Sequence, residues 1–161
     1  GARHITISTC GLCDKIEMYA HEGIQSNLAI SLHAPNDEIR NQLMPINKKY
    51  PMDKLRETLA YYIQKTNRRV TLEYILLKGV NDDITHARQL AHYVKGLNAY
   101  VNLIPYNAVD EHGYQQSLQK DVEAFKAELL RFHINVTQRK EHGRDIDGAC
   151  GQLRAKKVGE K

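Results

Sequence analysis

The chain has 161 residues, of which 42% are hydrophobic and 26% are charged, and its formal net charge is +4. This length is enough for one domain with a hydrophobic core, and the composition is that of a globular protein. No apolar run approaches the roughly 20 residues that span a bilayer, and three cysteines are too few for a disulfide-stapled secreted domain. We therefore expect a cytoplasmic protein with no membrane partner.

Five short apolar or β-branched segments predict strands. They lie at residues 4–9, 27–34, 69–80, 99–107 and 134–140. Helical patterns separate them, and such strand–helix alternation is typical of parallel strands joined by right-handed crossovers. The sequence thus predicts an α/β fold of about five parallel strands with flanking helices, either part of a TIM-like (β/α) barrel or an open sheet.

Apolar residues recur at helical spacing between these strands. The predicted inward faces are Leu12, Ile16 and Tyr19; Leu55, Leu59 and Tyr62; Ile84, Ala87, Ala91 and Val94; and Leu118, Val122, Phe125 and Leu129. A short helix is expected after Asn36, with Ile39 and Leu43 inward. Asp83 is a predicted N-cap and Gly96 a predicted helix stop. We interpret these faces as core without a chemical role.

Small neutral polar groups follow the carboxyl ends of the predicted strands, where α/β folds collect functional residues. Ser8 ends the first strand, "SLHAPN" (31–36) the second, "GVND" (79–82) the third, and Asn107 the fourth. These groups suit a ligand with hydroxyl, amino and carboxylate groups better than a metal ion, because HExxH and closely spaced histidine pairs are absent. A purely structural hydrogen bond is the alternative role for His33.

Cys10 and Cys13 form a CxxC motif between a predicted strand and a predicted helix. A helix N-terminus lowers the pKa of a thiol, so the pair suggests a dithiol redox site. Two cysteines do not complete a zinc or iron–sulfur site, and Cys150 would add only a third thiol. Redox chemistry, fortuitous metal binding and no role all stay open.

Cys150 lies in "GRDIDGACGQL" (143–153), where small neighbours leave the backbone free for a close approach. Six basic residues occur between Arg139 and Lys157. One interpretation is an accessible nucleophile beside a tail that binds a polyanion such as RNA. The other is a solvated tail whose cysteine has no role.

Five blocks in this sequence resemble the radical S-adenosylmethionine RNA methyltransferases of the RlmN and Cfr family. They are "RHITIST" (3–9), "LAISLHAPNDEIRNQLMPINKKYP" (28–51), "RRVTLEYILLKGVND" (68–82), "VNLIPYN" (101–107) and "GRDIDGACGQL" (143–153). The resemblance implies half of a radical S-adenosylmethionine barrel. Residues 1–161 would form the C-terminal part of the catalytic domain, with a basic tail at 141–161.

The resemblance also implies roles for individual residues. Ser8, the run Ser31–Leu32–His33 and Asn107 would contact S-adenosyl-L-methionine, and Cys150 would first accept a methyl group. The [4Fe–4S] cluster would belong to the full-length enzyme, because its CxxxCxxC ligands are absent here. The implied reaction methylates carbon 2 of an adenine in 23S rRNA and in tRNA through a methyl-cysteine intermediate, with an electron donor that reduces the cluster.

Three alternatives to this function stay open. One is methylation of carbon 8, as in the Cfr branch that confers ribosomal antibiotic resistance. The others are a non-catalytic RNA-binding module and a CxxC redox protein. The fragment alone is expected to lack the cluster and to be inactive, and half a barrel would expose an edge strand.

Overall fold

The computed structural model describes residues 1, 4–107 and 113–139. Its single sheet contains β1 (Thr6–Thr9), β2 (Asn27–Ser31), β3 (Val70–Leu76), β4 (Ala99–Pro105) and β5 (Val136–Gln138). All neighbouring strands are parallel, and their order in the sheet is their order in the chain. A doubly wound sheet would reverse its strand order, whereas a barrel segment does not. The predicted α/β class with five parallel strands is confirmed.

In the described part of the chain, five α-helices connect or flank these strands. They are α1 (Cys13–Tyr19), α2 (Asp37–Leu43), α3 (Met52–Thr66), α4 (Ile84–Val94) and α5 (Gln119–Arg131), and a 3-10 turn spans Pro45–Lys48. The predicted N-cap is confirmed, because the Asp83 side chain accepts from the His86 N–H at 2.9 Å. Among the residues described, no helix is both long and apolar enough to cross a bilayer.

The strand boundaries and one predicted core residue differ from the sequence-based expectation. The third strand ends at Leu76 rather than at residue 80, because the following residues turn back on the buried Asn81 side chain, which accepts from the Leu77 N–H at 2.8 Å. The prediction of Leu118 as a core residue is wrong. Leu118 is the N-cap of α5 and 46% exposed, since a residue preceding the first helical turn leaves the inward stripe. The other four strands are also shorter than predicted.

The two faces of the sheet differ in what covers them. Successive residues of a strand point to opposite faces. One face contributes buried apolar side chains to a cluster that also contains residues of α1, α3, α4 and α5. The opposite face, called the open face below, includes the following row of register partners: Ser31, Glu73, Asn102 and Thr137. Helices packed on one face of a parallel sheet match a barrel segment.

Candidate functional site

The structure gathers the predicted ligand-binding residues at the open face and the carboxyl ends of the strands. Ser8 lies in β1 with Ala29 as its register partner, so it shares the open face with Ser31, two residues further along β2. His33 follows β2 directly, and Asn107 follows β4 by two residues. Ser8 and Asn107 are exposed, whereas Ser31 and His33 are half-buried.

Leu32 differs from the other predicted contact residues. Its side chain is fully buried and belongs to the apolar core. Its backbone N–H donates to the carbonyl of Glu73 at 3.0 Å, and its carbonyl accepts from Nε of Arg40 at 3.1 Å. Leu32 therefore fixes the course of the chain, and any contact it makes with a ligand has to come from its backbone.

Arg40 ties together the ends of β1 and β2. Its guanidinium is fully buried and donates through Nη2 to the carbonyls of Cys10 at 2.8 Å and Ser31 at 3.1 Å. Nη1 donates to Oδ1 of Asn47 at 3.0 Å. Burial lowers the pKa of this guanidinium, but arginine stays protonated in proteins. A permanent positive charge thus lies beneath the strand ends.

Asn81, from the "GVND" block, also bonds to the Ser31–Leu32–His33 run. Its Nδ2 donates to the carbonyls of His33 and Ile75, both at 2.8 Å. Its Oδ1 accepts from the Leu77 N–H at 2.8 Å, and its own carbonyl accepts from the Tyr74 hydroxyl at 2.7 Å. Because Asn81 is completely buried, this amide fixes the distance between the ends of β2 and β3.

His33 has an unusual backbone and a defined protonation state. Its φ of +58° lies in the left-handed region, which few non-glycine residues occupy. Its Nδ1 accepts from the Ile75 N–H at 3.1 Å, so the neutral ring carries its proton on Nε2. Burial, together with the nearby Arg40 charge, lowers the pKa of His33 to about 4. At neutral pH the ring therefore offers one N–H donor, not a cation.

The open face carries a row of hydrogen-bonded polar side chains beside Ser31. Nδ2 of Asn102 donates to Oε2 of Glu73 at 2.8 Å, and the Thr137 hydroxyl donates to Oδ1 of Asn102 at 3.1 Å. Glu73 is the register partner of Ser31. The row thus presents a carboxylate next to the Ser31 hydroxyl.

A cleft of about 640 Å³ opens at the carboxyl ends of β3, β4 and β5. Pro105 lines it at the end of β4, two residues before Asn107. Lys126 and Arg139 bring positive charge to its wall. The cleft therefore has a partly cationic wall and adjoins the end of β4, but the predicted ligand residues do not line it.

Cys13 of the CxxC motif lacks the lowered thiol pKa that would favour redox chemistry. Cys13 is the first residue of α1 and is fully buried, and its thiol donates to the Gly11 carbonyl at 3.7 Å. Burial raises the pKa of the Cys13 thiol, so the predicted lowering by the helix N-terminus is wrong for this residue. Within residues 1, 4–107 and 113–139, no group of three or more His, Cys, Asp or Glu side chains is placed to hold a metal ion.

Cys150 and the basic tail at 141–161 lie outside the described residues. Sequence reasoning missed Arg40 and the side-chain role of Asn81. A signal for Arg40 existed, because it lies three residues before Leu43 on the face of α2 that was predicted to point inward. For Asn81 the sequence offered only its position in a turn-forming block.

Known proteins match this chain over nearly its whole length. It is 60% identical over 159 residues to a probable dual-specificity RNA methyltransferase RlmN of Spiroplasma citri, covering 99% of this chain and 46% of that protein. It is 58% identical over 156 residues to a protein of the same description from Staphylococcus carnosus, covering 97% and 43%. The chain is homologous to part of the RlmN-type RNA methyltransferases. The predicted resemblance is confirmed, and the chain spans less than half the length of these relatives.

Solved structures support the same assignment. A radical SAM methyltransferase from Sphaerobacter thermophilus superposes with a TM-score of 0.91 at 43% identity, covering 94% of this chain and 45% of that one. A domain of a pyruvate-formate lyase-activating enzyme from Bacteroides vulgatus shares the fold alone, with a TM-score of 0.64 at 14% identity over 84% of this chain and 80% of that one. The predicted partial barrel of the radical SAM type is confirmed. No family model matches the chain.

Proposed function

We propose that this chain supplies the S-adenosyl-L-methionine-binding part of an RlmN-type RNA methyltransferase that acts on carbon 2 of an adenine in 23S rRNA and in tRNA. The observation that carries this proposal is the 58–60% identity to RlmN-type proteins along nearly the entire chain. The strand-end site supports it, because its groups are neutral donors and acceptors beside one carboxylate.

The described residues fit a methyl donor that has hydroxyl, amino and carboxylate groups. The Ser31 hydroxyl both donates and accepts, and the Nε2–H of His33 donates to an acceptor atom of the ligand. Ser8 and Asn107 add a hydroxyl and an amide on the exposed side of the site. When bound, the donor supplies an electrophilic methyl group, and these side chains orient it at the strand ends.

The described residues do not fit an iron–sulfur cluster, because they contain no group of three suitable side chains. Within the proposal, the [4Fe–4S] cluster and the electron donor that reduces it belong to the remainder of the enzyme. The part of the chain described here contributes binding, orientation and the scaffold of the site.

We assign the first methyl transfer to Cys150. Its thiolate sulfur forms a bond to the methyl carbon while the carbon–sulfur bond of the sulfonium donor breaks, which leaves a neutral thioether as leaving group. The basic residues between Arg139 and Lys157 suit the phosphates of RNA. Lys126 and Arg139 line the cleft with charge of the same sign.

Replacing the sulfur tests the role of Cys150 in the complete enzyme. With methyl-labelled S-adenosyl-L-methionine, Cys150→Ser should lose the protein-bound label and all methylation of adenine above background. Cys10→Ser is the matched control and should keep both. Mass spectrometry of the peptide and of the RNA nucleosides gives the two readouts. Undiminished methylation by Cys150→Ser would contradict the proposal, and 8-methyladenine in place of 2-methyladenine would favour the Cfr-type reaction.

A further inference from the structure

Arg40 is the largest fully buried side chain among the described residues, yet no ion pair found among them includes it. Burial of a cation is unfavourable unless its charge and its donors are satisfied; Asp37 attracts the Arg40 guanidinium, but the effect of burial is larger. A well-packed apolar side chain would avoid that cost, so packing alone does not account for an arginine here. The four hydrogen bonds that it donates indicate what it provides instead.

Most of the atoms that accept hydrogen bonds from Arg40 lie at the predicted ligand site. Three of them are the carbonyls of Cys10, Ser31 and Leu32, at the carboxyl ends of two neighbouring strands. The fourth, Asn47, is itself fixed, because its Nδ2 donates to Oδ1 of Asp37 at 2.8 Å. Only a planar guanidinium fork reaches several acceptors in this fixed arrangement, and a lysine ammonium does not.

We propose that Arg40 is a positioning residue for the ligand site: it holds the end of β1 and the Ser31–His33 run so that the Ser31 and His33 side chains face the ligand. The identity of the ligand, S-adenosyl-L-methionine, rests on the proposed function. The role of Arg40 in placing the Ser31–His33 run and the His33 ring does not rest on the proposed function, because it does not depend on which ligand binds.

The spacing around Gly11 agrees with this role. A Cβ at Gly11 would lie 3.3 Å from Nη2 of Arg40, and the φ of +99° at this position is one that side chains rarely adopt. The chain therefore passes the guanidinium closely enough for the Cys10 carbonyl to bond with it. Both the turn after β1 and the run after β2 are built around the same cation.

Arg56 provides a matched control. Like Arg40, it donates from its guanidinium to two backbone carbonyls, those of Tyr93 at 2.8 Å and Lys95 at 2.6 Å. These carbonyls belong to the end of α4, before the amino end of β4 and away from the Ser31–His33 run. An Arg→Lys change at either position keeps the charge and removes the fork.

The first measurement is calorimetric titration of the full-length enzyme with S-adenosyl-L-methionine. Arg40→Lys should weaken binding by about tenfold or more, because hydrogen bonds from a charged donor are lost next to the ligand contacts. Arg56→Lys should stay within about twofold of the unchanged enzyme, since its lost bonds lie elsewhere. Wild-type affinity for Arg40→Lys would overturn the proposal.

The second measurement needs no ligand. In nitrogen-15 spectra, the hydrogen bond from the Ile75 amide to Nδ1 of His33 should be lost in Arg40→Lys and kept in Arg56→Lys. If the unchanged enzyme fails to bind S-adenosyl-L-methionine, the proposed function fails while this readout still decides the role of Arg40.

Should Arg40→Lys not fold, Asn47→Ala replaces it by removing one acceptor of the guanidinium. Asn47→Ala should weaken binding by about twofold to fivefold, and unaltered affinity together with an intact His33 bond would overturn the proposal.

Discussion

The two faces of the sheet have opposite characters although their residues alternate along the same strands. In β3, Leu72 and Tyr74 are completely buried against the helices, whereas the intervening Glu73 is half-buried on the open face. In β4, Leu103 and Asn102 repeat this contrast. Alternate positions of one strand therefore lie in different surroundings, one in the apolar core and one among polar side chains, so one can be changed with little effect on the other.

The largest expected effect tests the helix-covered face. Leu72→Ala should lower the free energy of unfolding by about 2–5 kcal/mol, because Leu72 is fully buried in the central strand of the core. Ile104→Ala, on the open face of β4, removes an aliphatic side chain from a half-buried position and should cost about 1 kcal/mol. Urea denaturation of the two variants measures the difference. Equal losses would mean that the open face is packed as tightly as the core.

The second prediction concerns the carboxyl ends of the strands, where His33 makes the stability of the protein depend on pH. The pKa of His33 is about 4 in the folded protein, against an ordinary value of 6.5. Between these values the unfolded chain binds a proton that the folded chain does not, so stability falls as the pH drops from 6.5 to 4 and is complete above 6.5. The loss amounts to ~3 kcal/mol at most.

Unfolding curves at pH 7.0, 5.5 and 4.5 would check this pH dependence, with His33→Asn as the control. Asparagine tolerates the left-handed backbone and does not titrate, so most of the loss should disappear. Glu128 does not interfere, because hydrogen bonds from Arg131 and Arg88 lower its pKa to about 2 and its stabilisation is lost only as the pH falls from 4.5 towards 2. An unchanged slope in His33→Asn would assign the loss to another group.

Periodicity in the sequence predicted most of the helix-covered face, with Leu118 as an exception. Residues such as Leu59, Leu72, Ala87 and Phe125 follow the 3.6 or 2.0 period of their elements, and burial of an apolar side chain obeys that period. The parallel direction of the strands follows from the alternation of strands and helices, whereas their order in the sheet came from the structure. The positions of Ser8, Ser31, His33 and Asn107 then follow, because parallel strands bring their carboxyl ends to one edge.

The bonds that shape the site could not be predicted from the sequence in this way. A charged residue in a short helix is usually a surface residue, yet Arg40 is buried because three strand-end carbonyls and Asn47 replace its water shell. Asn81 joins segments separated by 48 residues in the chain, and no local pattern encodes such a partner. The left-handed backbone of His33 is similarly a product of these contacts rather than of its own preference.

The smallest expected effect tests the open face. Asn102→Ala removes the donor to Glu73 and the acceptor from Thr137, but water reaches these half-exposed groups and replaces much of what is lost. The free energy of unfolding should therefore fall by about 1 kcal/mol or less. Thr137→Val, which leaves the Asn102–Glu73 bond intact, is the control and should cost less still. A loss for Asn102→Ala comparable to that of Leu72→Ala would show that this row is a buried network needed for folding, and the division of labour between the two faces would then not hold.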